Sequence, residues 1–241
     1  MTPSFELLLV LGILGFYLYD SALLLYFNDL IFIERYGVWS FICPSTHWQI
    51  LGKTPYVPNP LSPDASLFRV TWSTESPAST DADADATEKL IKALRPLRYL
   101  VLGLLVLTIV DLPVVILVLG TGRWFFITLV LIYLVILSIL SLVYWRRSAL
   151  GLSRKDVASL VFESIACPPF AINMVRKITL KHIPTSSPID FAQHRFAKES
   201  FRKLVHAVQA RLNEELDSED DDNQRSAKIK AYSDRLKELV E

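Results

Sequence analysis

The sequence predicts a membrane protein, mainly α-helical, with three transmembrane helices and a small α+β cytosolic part. Its apolar residues are concentrated in three blocks, 5–27, 97–119 and 124–145, instead of recurring at a helix or strand period. Each block is close to the ~20 residues that cross ~30 Å of hydrocarbon. The first block lacks a basic leader and a cleavage site, so we expect it to remain in the protein as a membrane helix.

The orientation follows from the lysines and arginines beside the blocks. Four basic residues, Lys89, Lys92, Arg95 and Arg98, lie before or at the start of the second block, and four follow the third, whereas the 120–123 turn carries only Arg123. Because cytoplasmic loops are enriched in Lys and Arg, we expect the N-terminus outside and both the 28–96 loop and the 146–241 tail in the cytoplasm. The location predicted is a cell inner or plasma membrane, as a multi-pass protein. The two cysteines then lie in a reducing compartment, where a structural disulfide is not expected.

The loop after the first block is predicted to hold a small β-rich piece, 28–73. Short β-branched and aromatic runs at 30–33, 38–43, 47–51 and 67–72 are separated by glycines and prolines. Residues 74–96 are predicted to be an acidic linker that becomes a helix leading into the second block. Their Asp81, Asp83 and Asp85 resemble the start of a calcium loop, but the glycine and the final glutamate of that loop are missing.

The segment 146–188 is predicted to form basic helices beside the membrane. From 146 to 213 there are 12 basic and 4 acidic residues, without the aromatic interleaving or motif of a nucleic-acid binder. Ser153 begins one helix, Cys167 and two prolines end it, and a second helix over 170–182 has an apolar stripe. That helix either lies on the bilayer or packs on the β-rich piece. The residues expected to bind anionic headgroups are Arg146, Arg147, Arg154, Lys155, Arg176, Lys177 and Lys181.

The C-terminal segment 189–241 is predicted to form two amphipathic helices around an acidic run. Their apolar residues recur at three- and four-residue spacing. An internal helical hairpin and a coiled coil with a partner satisfy this spacing equally well. The residues expected at such a contact are Phe201, Leu204, Val205, Val208, Leu212, Ile229, Tyr232 and Leu236.

Two acids, Asp20 and Asp111, stand inside the apolar blocks. Such a group costs about 2.5 to 3.5 kcal/mol in a lipid environment, and therefore normally faces protein or water. Counting ~1.5 Å per residue, Tyr133 reaches the depth of Asp111, and we expect a hydrogen bond between them. The same count places Asp20 level with Ser138 and Ser141, roughly 10 Å from the depth of Asp111. The two acids are therefore expected to act separately and not as a catalytic pair.

The remaining chemistry-bearing residues do not match a catalytic motif. The chain has no nucleophile elbow, zinc-protease motif, P-loop or dinucleotide fingerprint. A zinc site could use only Cys43, His47, Cys167 and His182, which lack a Cys-x-x-Cys pair. No catalytic residue, metal or cofactor is predicted.

The function favoured by these observations is that of a non-catalytic accessory or scaffolding subunit. It would assemble with other membrane or cytosolic proteins, or with further copies of itself, and would contact anionic lipid but no nucleic acid. One alternative is a subunit of a transporter or ion-conducting complex that uses Asp20 and Asp111. Another is a membrane enzyme with a cytosolic site at Cys43, His47 and Cys167.

Overall fold

The structure is a computed structural model that describes residues 5–44, 49–72, 81–182, 187–218 and 223–238. It is mostly helical, with a small sheet region. The helices are α1 (Phe5–Ser21), α2 (Asp81–Leu105), α3 (Leu112–Val114), α4 (Arg123–Trp145), α5 (Arg154–Ala166), α6 (Pro168–Ile172), α7 (Met174–Lys181), α8 (Pro188–Arg195), α9 (Lys198–Ser218) and α10 (Asn223–Glu238). The strands are β1 (Leu23–Leu25), β2 (Asp29–Arg35), β3 (Val38–Ile42), β4 (Thr54–Tyr56) and β5 (Ser66–Thr71).

Within the described residues, two helical stretches are long and apolar enough to cross a membrane, Asp85–Leu119 and Arg123–Trp145. The first is α2 continued through two π-helical segments, π1 (Val106–Asp111) and π2 (Val115–Leu119), on either side of α3. The predicted acidic linker is thus helical from Asp81 onward and continues into the second block, and its residues 74–80 lie outside the described residues. Pro96 lies inside α2, and Gly120 ends the stretch with a positive φ.

The first apolar block is not one helix, because α1 ends at Ser21 and the chain continues into β1. The 17-residue α1 is shorter than the predicted 5–27 span, and a three-span fold is not confirmed. Hydropathy could not locate this end, since the leucines of β1 are as apolar as those of α1. Asp20 and Ser21 instead take polar partners from α6–α7, which is described below.

The β-rich piece contains a three-stranded sheet in the order β3–β2–β5 and a two-stranded sheet of β1 and β4. β2 and β3 are antiparallel, with Arg35 opposite Val38. Tyr36 and Gly37 between them both have positive φ, as a two-residue type I′ hairpin loop requires. The predicted strand at 47–51 lies partly outside the described residues, and its last part forms only an isolated bridge between Ile50 and Lys53.

The chain divides into two compact units. The first comprises residues 1–24, 55–66 and 86–182, and the second comprises 25–54, 67–85 and 183–241. The second unit has an aromatic core in which Phe32 stacks on Phe191 and Trp39 contacts Phe68. Phe196 packs edge-on against Phe32 in the same core.

The C-terminal helices form an internal hairpin, in which α9 packs on α10. Seven of the eight residues expected at a partner contact are buried inside the protein, and Tyr232 is half-buried with a buried hydroxyl. The stripe is therefore covered by the chain's own residues, and the hairpin alternative accounts for it. The spacing could not decide this, because an internal and an external partner require the same periodicity.

In the first unit α5 runs back along α4. A groove near the end of α4 is lined by Tyr144 of α4 and Arg154 at the start of α5. At the other end of α5, the Tyr133 hydroxyl donates to the Ile165 carbonyl at 3.4 Å. Tyr133 precedes Trp145 by about three turns, roughly 18 Å of helix, so α5 lies beside the second half of α4.

Candidate functional site

The most concentrated set of buried charges in the first unit surrounds Asp20, at the end of α1. One carboxylate oxygen of Asp20 lies 2.8 Å from the ammonium of Lys177 in α7. The other oxygen accepts a hydrogen bond from the side-chain amide of Asn173 at 2.9 Å. The Asp20 side chain is only 11% exposed, so this acid has both a cation and an amide donor away from bulk water.

Lys177 is shared between two acids. Its ammonium also lies 2.8 Å from the carboxylate of Glu163 in α5, and the Ser159 hydroxyl donates to the other oxygen of Glu163 at 2.8 Å. The same ammonium lies 4.8 Å from the ring centroid of Phe170. One lysine therefore connects the ends of α1 and α5 to α7.

Asn173 and Ser21 connect α1 to the break between α6 and α7. The Asn173 amide donates to the Ser21 hydroxyl at 2.9 Å, and that hydroxyl can donate to the Tyr17 carbonyl at 2.8 Å. Both Asn173 and Ser21 are buried. Buried polar groups are costly unless paired, so these bonds fix the position of α1 against α6.

Arg176 extends the network to the proline-rich loop. Its guanidinium donates to the backbone carbonyls of Asn59 at 2.6 Å and Ser62 at 2.8 Å, and to the Asn173 side chain at 3.2 Å. The Tyr17 hydroxyl also donates to this loop, at the Pro60 carbonyl. Burial lowers the pKa of Arg176, but an arginine keeps its charge at any physiological pH.

We call Asp20, Ser21, Glu163, Asn173, Arg176 and Lys177 the Asp20 network. It contains two acids and two cations, so its formal charge is zero. Each acid and cation has a protein partner at hydrogen-bonding distance. Neither of the two cavities described in the first unit is lined by any of these residues. The geometry suits a structural connection better than a site that receives a substrate or passes a proton.

The surroundings of Asp111 differ from the expectation. Its carboxylate accepts a hydrogen bond from Thr128 of α4 at 3.3 Å, whereas the Tyr133 hydroxyl donates to Ile165. The expected bond between Tyr133 and Asp111 is therefore wrong. The depth count assumed a regular α-helix, whereas Asp111 ends the π-helical segment π1.

The serines expected near Asp20 are not its partners. Ser138 donates to the Leu134 carbonyl of its own helix at 2.8 Å, and Ser138 and Ser141 are both exposed. The depth count assumed that Asp20 lies within a long helix. It lies instead at the end of a shorter one, where α7 supplies the polar groups.

The seven basic residues expected to bind headgroups divide into two sets. Arg176 and Lys177 belong to the Asp20 network, and α7 is largely buried. These two are therefore not available to a lipid headgroup, and α7 does not lie on a bilayer with its apolar stripe. Arg154 and Lys155 are exposed, and Arg147 is half-buried over the Tyr144 ring.

The other two basic residues have partners of their own. Arg146 donates to the Ala93 carbonyl at 3.3 Å. Lys181 lies 2.8 Å from Asp156, the N3 residue of a capping box with Ser153. The hydrogen bond from Lys181, with those from Ser153, lowers the pKa of Asp156 from 3.8 to about 2.

The cysteines show no sign of activation. Burial raises the pKa of both the Cys43 and Cys167 thiols, whereas a nucleophilic cysteine needs a lowered value. Cys43 and Cys167 belong to different units, and His47 lies outside the described residues. Among the residues that the structure describes, no group of three or more His, Cys, Asp or Glu could hold a metal ion.

Sequence reasoning identified Asp20 and Lys177 separately but missed Asn173 and Glu163. Their signal in the sequence was weak, because each is a single polar residue that lies more than 140 residues from Asp20. Comparisons with protein-family models, curated proteins and solved structures found no match to this chain.

Proposed function

We propose that this protein is an integral membrane protein that serves as a non-catalytic accessory or scaffolding subunit. The observation that carries the proposal is that both acids and both cations of the Asp20 network are paired with groups of the same chain. A catalytic or conducting centre needs a charged group that faces a cavity or a water path. The network instead joins three helices and a loop, as a structural element does.

The membrane location is supported by the surface of α4. Only 33% of the most apolar stretch of α4 is buried. The exposed residues of this helix include Phe126, Val130 and Leu134. Trp124 and Trp145 are exposed at its two ends, about 31 Å apart at 1.5 Å per residue. Tryptophan is enriched at both membrane interfaces, and this separation matches the ~30 Å hydrocarbon core.

The arrangement of α2 and α4 supports a membrane hairpin. The Arg146 side chain, just after α4, reaches the Ala93 carbonyl within α2. The cation-rich ends of both helices thus meet on one side, which the proposal assigns to the cytoplasm. The 17-residue α1, about 25 Å long, would be a third and shorter membrane helix with exposed Leu8 and Leu11.

The test compares assembly with flux. The full chain is purified from its native membrane, sized on a native gel, and reconstituted in liposomes that contain a pH-sensitive dye. We expect no proton flux above protein-free liposomes, and a discrete complex on the gel for the wild type. We expect that complex to be lost for Lys177→Met but kept for the exposed Lys155→Met control. Proton flux abolished by Asp20→Asn, or a strictly monomeric wild type, would contradict the proposal.

A conducting subunit is the second candidate, and it is favoured by the backbone around Asp111. This acid ends π1, and Pro113 and π2 follow within the same apolar stretch. π-Helical turns are frequent at functional sites. The buried Thr108 hydroxyl of π1 has no hydrogen-bond partner among the described residues. This candidate requires flux that Asp111→Asn removes while the native-gel complex persists, and the liposome assay measures both.

A further inference from the structure

A groove of about 720 Å³ lies between the second half of α4 and α5. Its volume is within the ~300–1,000 Å³ typical of small-ligand sites. One end is lined by Tyr144, Arg147 and Arg154, and the wall along α5 is apolar. The groove therefore has a cationic end and a hydrocarbon end.

The cationic end presents two guanidinium groups that are not neutralised. Arg147 lies with its guanidinium carbon 5.0 Å from the Tyr144 ring centroid, and Arg154 is exposed in the first turn of α5. Among the described residues, neither arginine forms an ion pair. The nearby acid, Asp156, is bonded to Lys181 and Ser153 instead. Arginine pairs preferentially with carboxylate and phosphate groups, so this end suits an anionic phosphate.

The apolar wall is an exposed helical stripe. Ala158, Phe162 and Ile165 follow one another at spacings of four and three residues, which places them on one side of α5. Phe162 is 75% exposed and Ile165 is 47% exposed. Two large apolar side chains exposed beside a groove favour a hydrocarbon ligand.

The direction of the groove matches that of a lipid. Its cationic end adjoins Trp145, at the proposed cytoplasmic interface, and its apolar wall follows α5 along α4 to the level of Tyr133. An acyl chain that enters at the arginines would extend about 18 Å toward the bilayer centre. The groove is thus continuous with the exposed apolar surface of α4.

We infer that this groove binds one anionic glycerophospholipid from the bilayer. Its phosphate lies between Arg147 and Arg154, and one acyl chain lies along Ala158, Phe162 and Ile165. The inference rests on the proposed membrane location. A free phosphate ester would satisfy only the cationic end, and a neutral lipid would satisfy the apolar wall without neutralising the two arginines.

The experiment is native mass spectrometry of the full-length protein released from nanodiscs. The nanodiscs contain phosphatidylcholine with one fifth phosphatidylglycerol, and glycerol phosphate is added in a separate sample. We expect one phosphatidylglycerol to remain bound and glycerol phosphate to show no binding. Each arginine makes a charge-assisted contact with the phosphate that is lost on truncation, so Arg147→Ala with Arg154→Ala should reduce retention about tenfold or more.

Two controls separate the site from general membrane attraction. Arg95→Ala with Lys155→Ala removes the same charge from exposed residues that do not line the groove, and should leave retention within about twofold of wild type. Ala158→Phe fills the groove without a charge change and should lower retention of the lipid. Ser141→Phe places the same ring on an exposed residue of α4 outside the groove and should not.

The inference is overturned if the control pair reduces retention as much as the groove pair, or if phosphatidylcholine is retained equally well. It is also overturned if Ala158→Phe has no effect. The proposed membrane location has a separate test. If it is wrong, alkaline carbonate extracts the wild type from native membranes. A protein that resists extraction but retains no lipid contradicts the groove alone.

Discussion

Asp20 and Asp111 are both acids within apolar sequence, yet the structure gives them different partners. Asp20 contacts Lys177 of α7 and the buried amide of Asn173, the residue that directly precedes α7. Asp111 accepts one hydrogen bond from Thr128 in the adjacent helix, at the longer distance of 3.3 Å. One acid is held by a cation from a distant part of the chain, and the other by a local hydroxyl.

The difference shows that the hydropathy of a segment does not reveal how its charge is compensated. A carboxylate paired with a cation from a distant helix helps to fix the position of both helices, and removing either partner leaves the other without its counter-charge. A carboxylate that accepts only from a hydroxyl can be replaced by an amide that accepts the same hydrogen bond. Substitutions at the two sites should therefore differ in size, and the following predictions order them.

The largest effect is expected for Lys177→Met. This change removes the cation shared by Asp20 and Glu163 and leaves two carboxylates without it. Breaking a buried ion pair from one side costs about 3 to 5 kcal/mol, and the half-exposed Glu163 places this case near 3. Thermal unfolding in detergent, followed by helical circular dichroism, should show a lower midpoint than for Lys155→Met, an exposed control. Equal midpoints would show that the network does not stabilise the fold.

A smaller effect is expected for Asp20→Asn. The amide oxygen can still accept from Asn173, but the attraction to Lys177 is lost, and Lys177 keeps its contact with Glu163. The loss should be about 1 to 2 kcal/mol, typical of a hydrogen bond to a charged group. In a double-mutant cycle with Lys177→Met, the losses of unfolding free energy of the two single variants should sum to more than the loss of the double variant. Strict additivity would mean that the two side chains do not interact.

Asp111→Asn should change stability by less than about 0.5 kcal/mol, because an amide oxygen can accept the same Thr128 hydrogen bond. The same unfolding measurement serves here, with Thr128→Val as the matched change on the other side of the bond. If Asp111→Asn proves as destabilising as Asp20→Asn, then Asp111 has a charged partner, and the contrast between the two acids fails.

The helical elements could be predicted from the sequence wherever the periodicity and the caps agree. The capping box of α5 and the break after Cys167 are both in place, as is the hairpin loop at Gly37 between β2 and β3. These features depend on neighbouring residues, so a single sequence contains the information. The second and third apolar blocks likewise became long helices.

The polar contacts could not be predicted, because they join residues far apart in the chain. The end of α1 at Ser21 depends on Asn173, about 150 residues later. The cations of α7 were expected to face lipid, but Arg176 binds backbone carbonyls of the proline-rich loop. Charge and apolar spacing are the same in both situations, so only the tertiary structure distinguishes them.

The smallest effect is expected from the exposed pair of Asp156 and Lys181, and it depends on pH. The pKa of Asp156 is about 2 in the folded protein, below its ordinary 3.8. A lowered pKa means that the pair stabilises the fold above pH ~4 and that this contribution is lost as the pH falls from about 4 to 2. Asp156→Asn keeps an acceptor for the Ser153 cap but removes the titration.

The difference in unfolding free energy between wild type and Asp156→Asn should be constant above pH 5 and shrink below pH 4. Lys181→Met, which leaves the carboxylate but removes its cation, should weaken that pH dependence. A difference that is unchanged between pH 5 and 2 would contradict the lowered pKa, and a full pH dependence in Lys181→Met would assign the effect to the Ser153 hydrogen bonds instead of the ion pair.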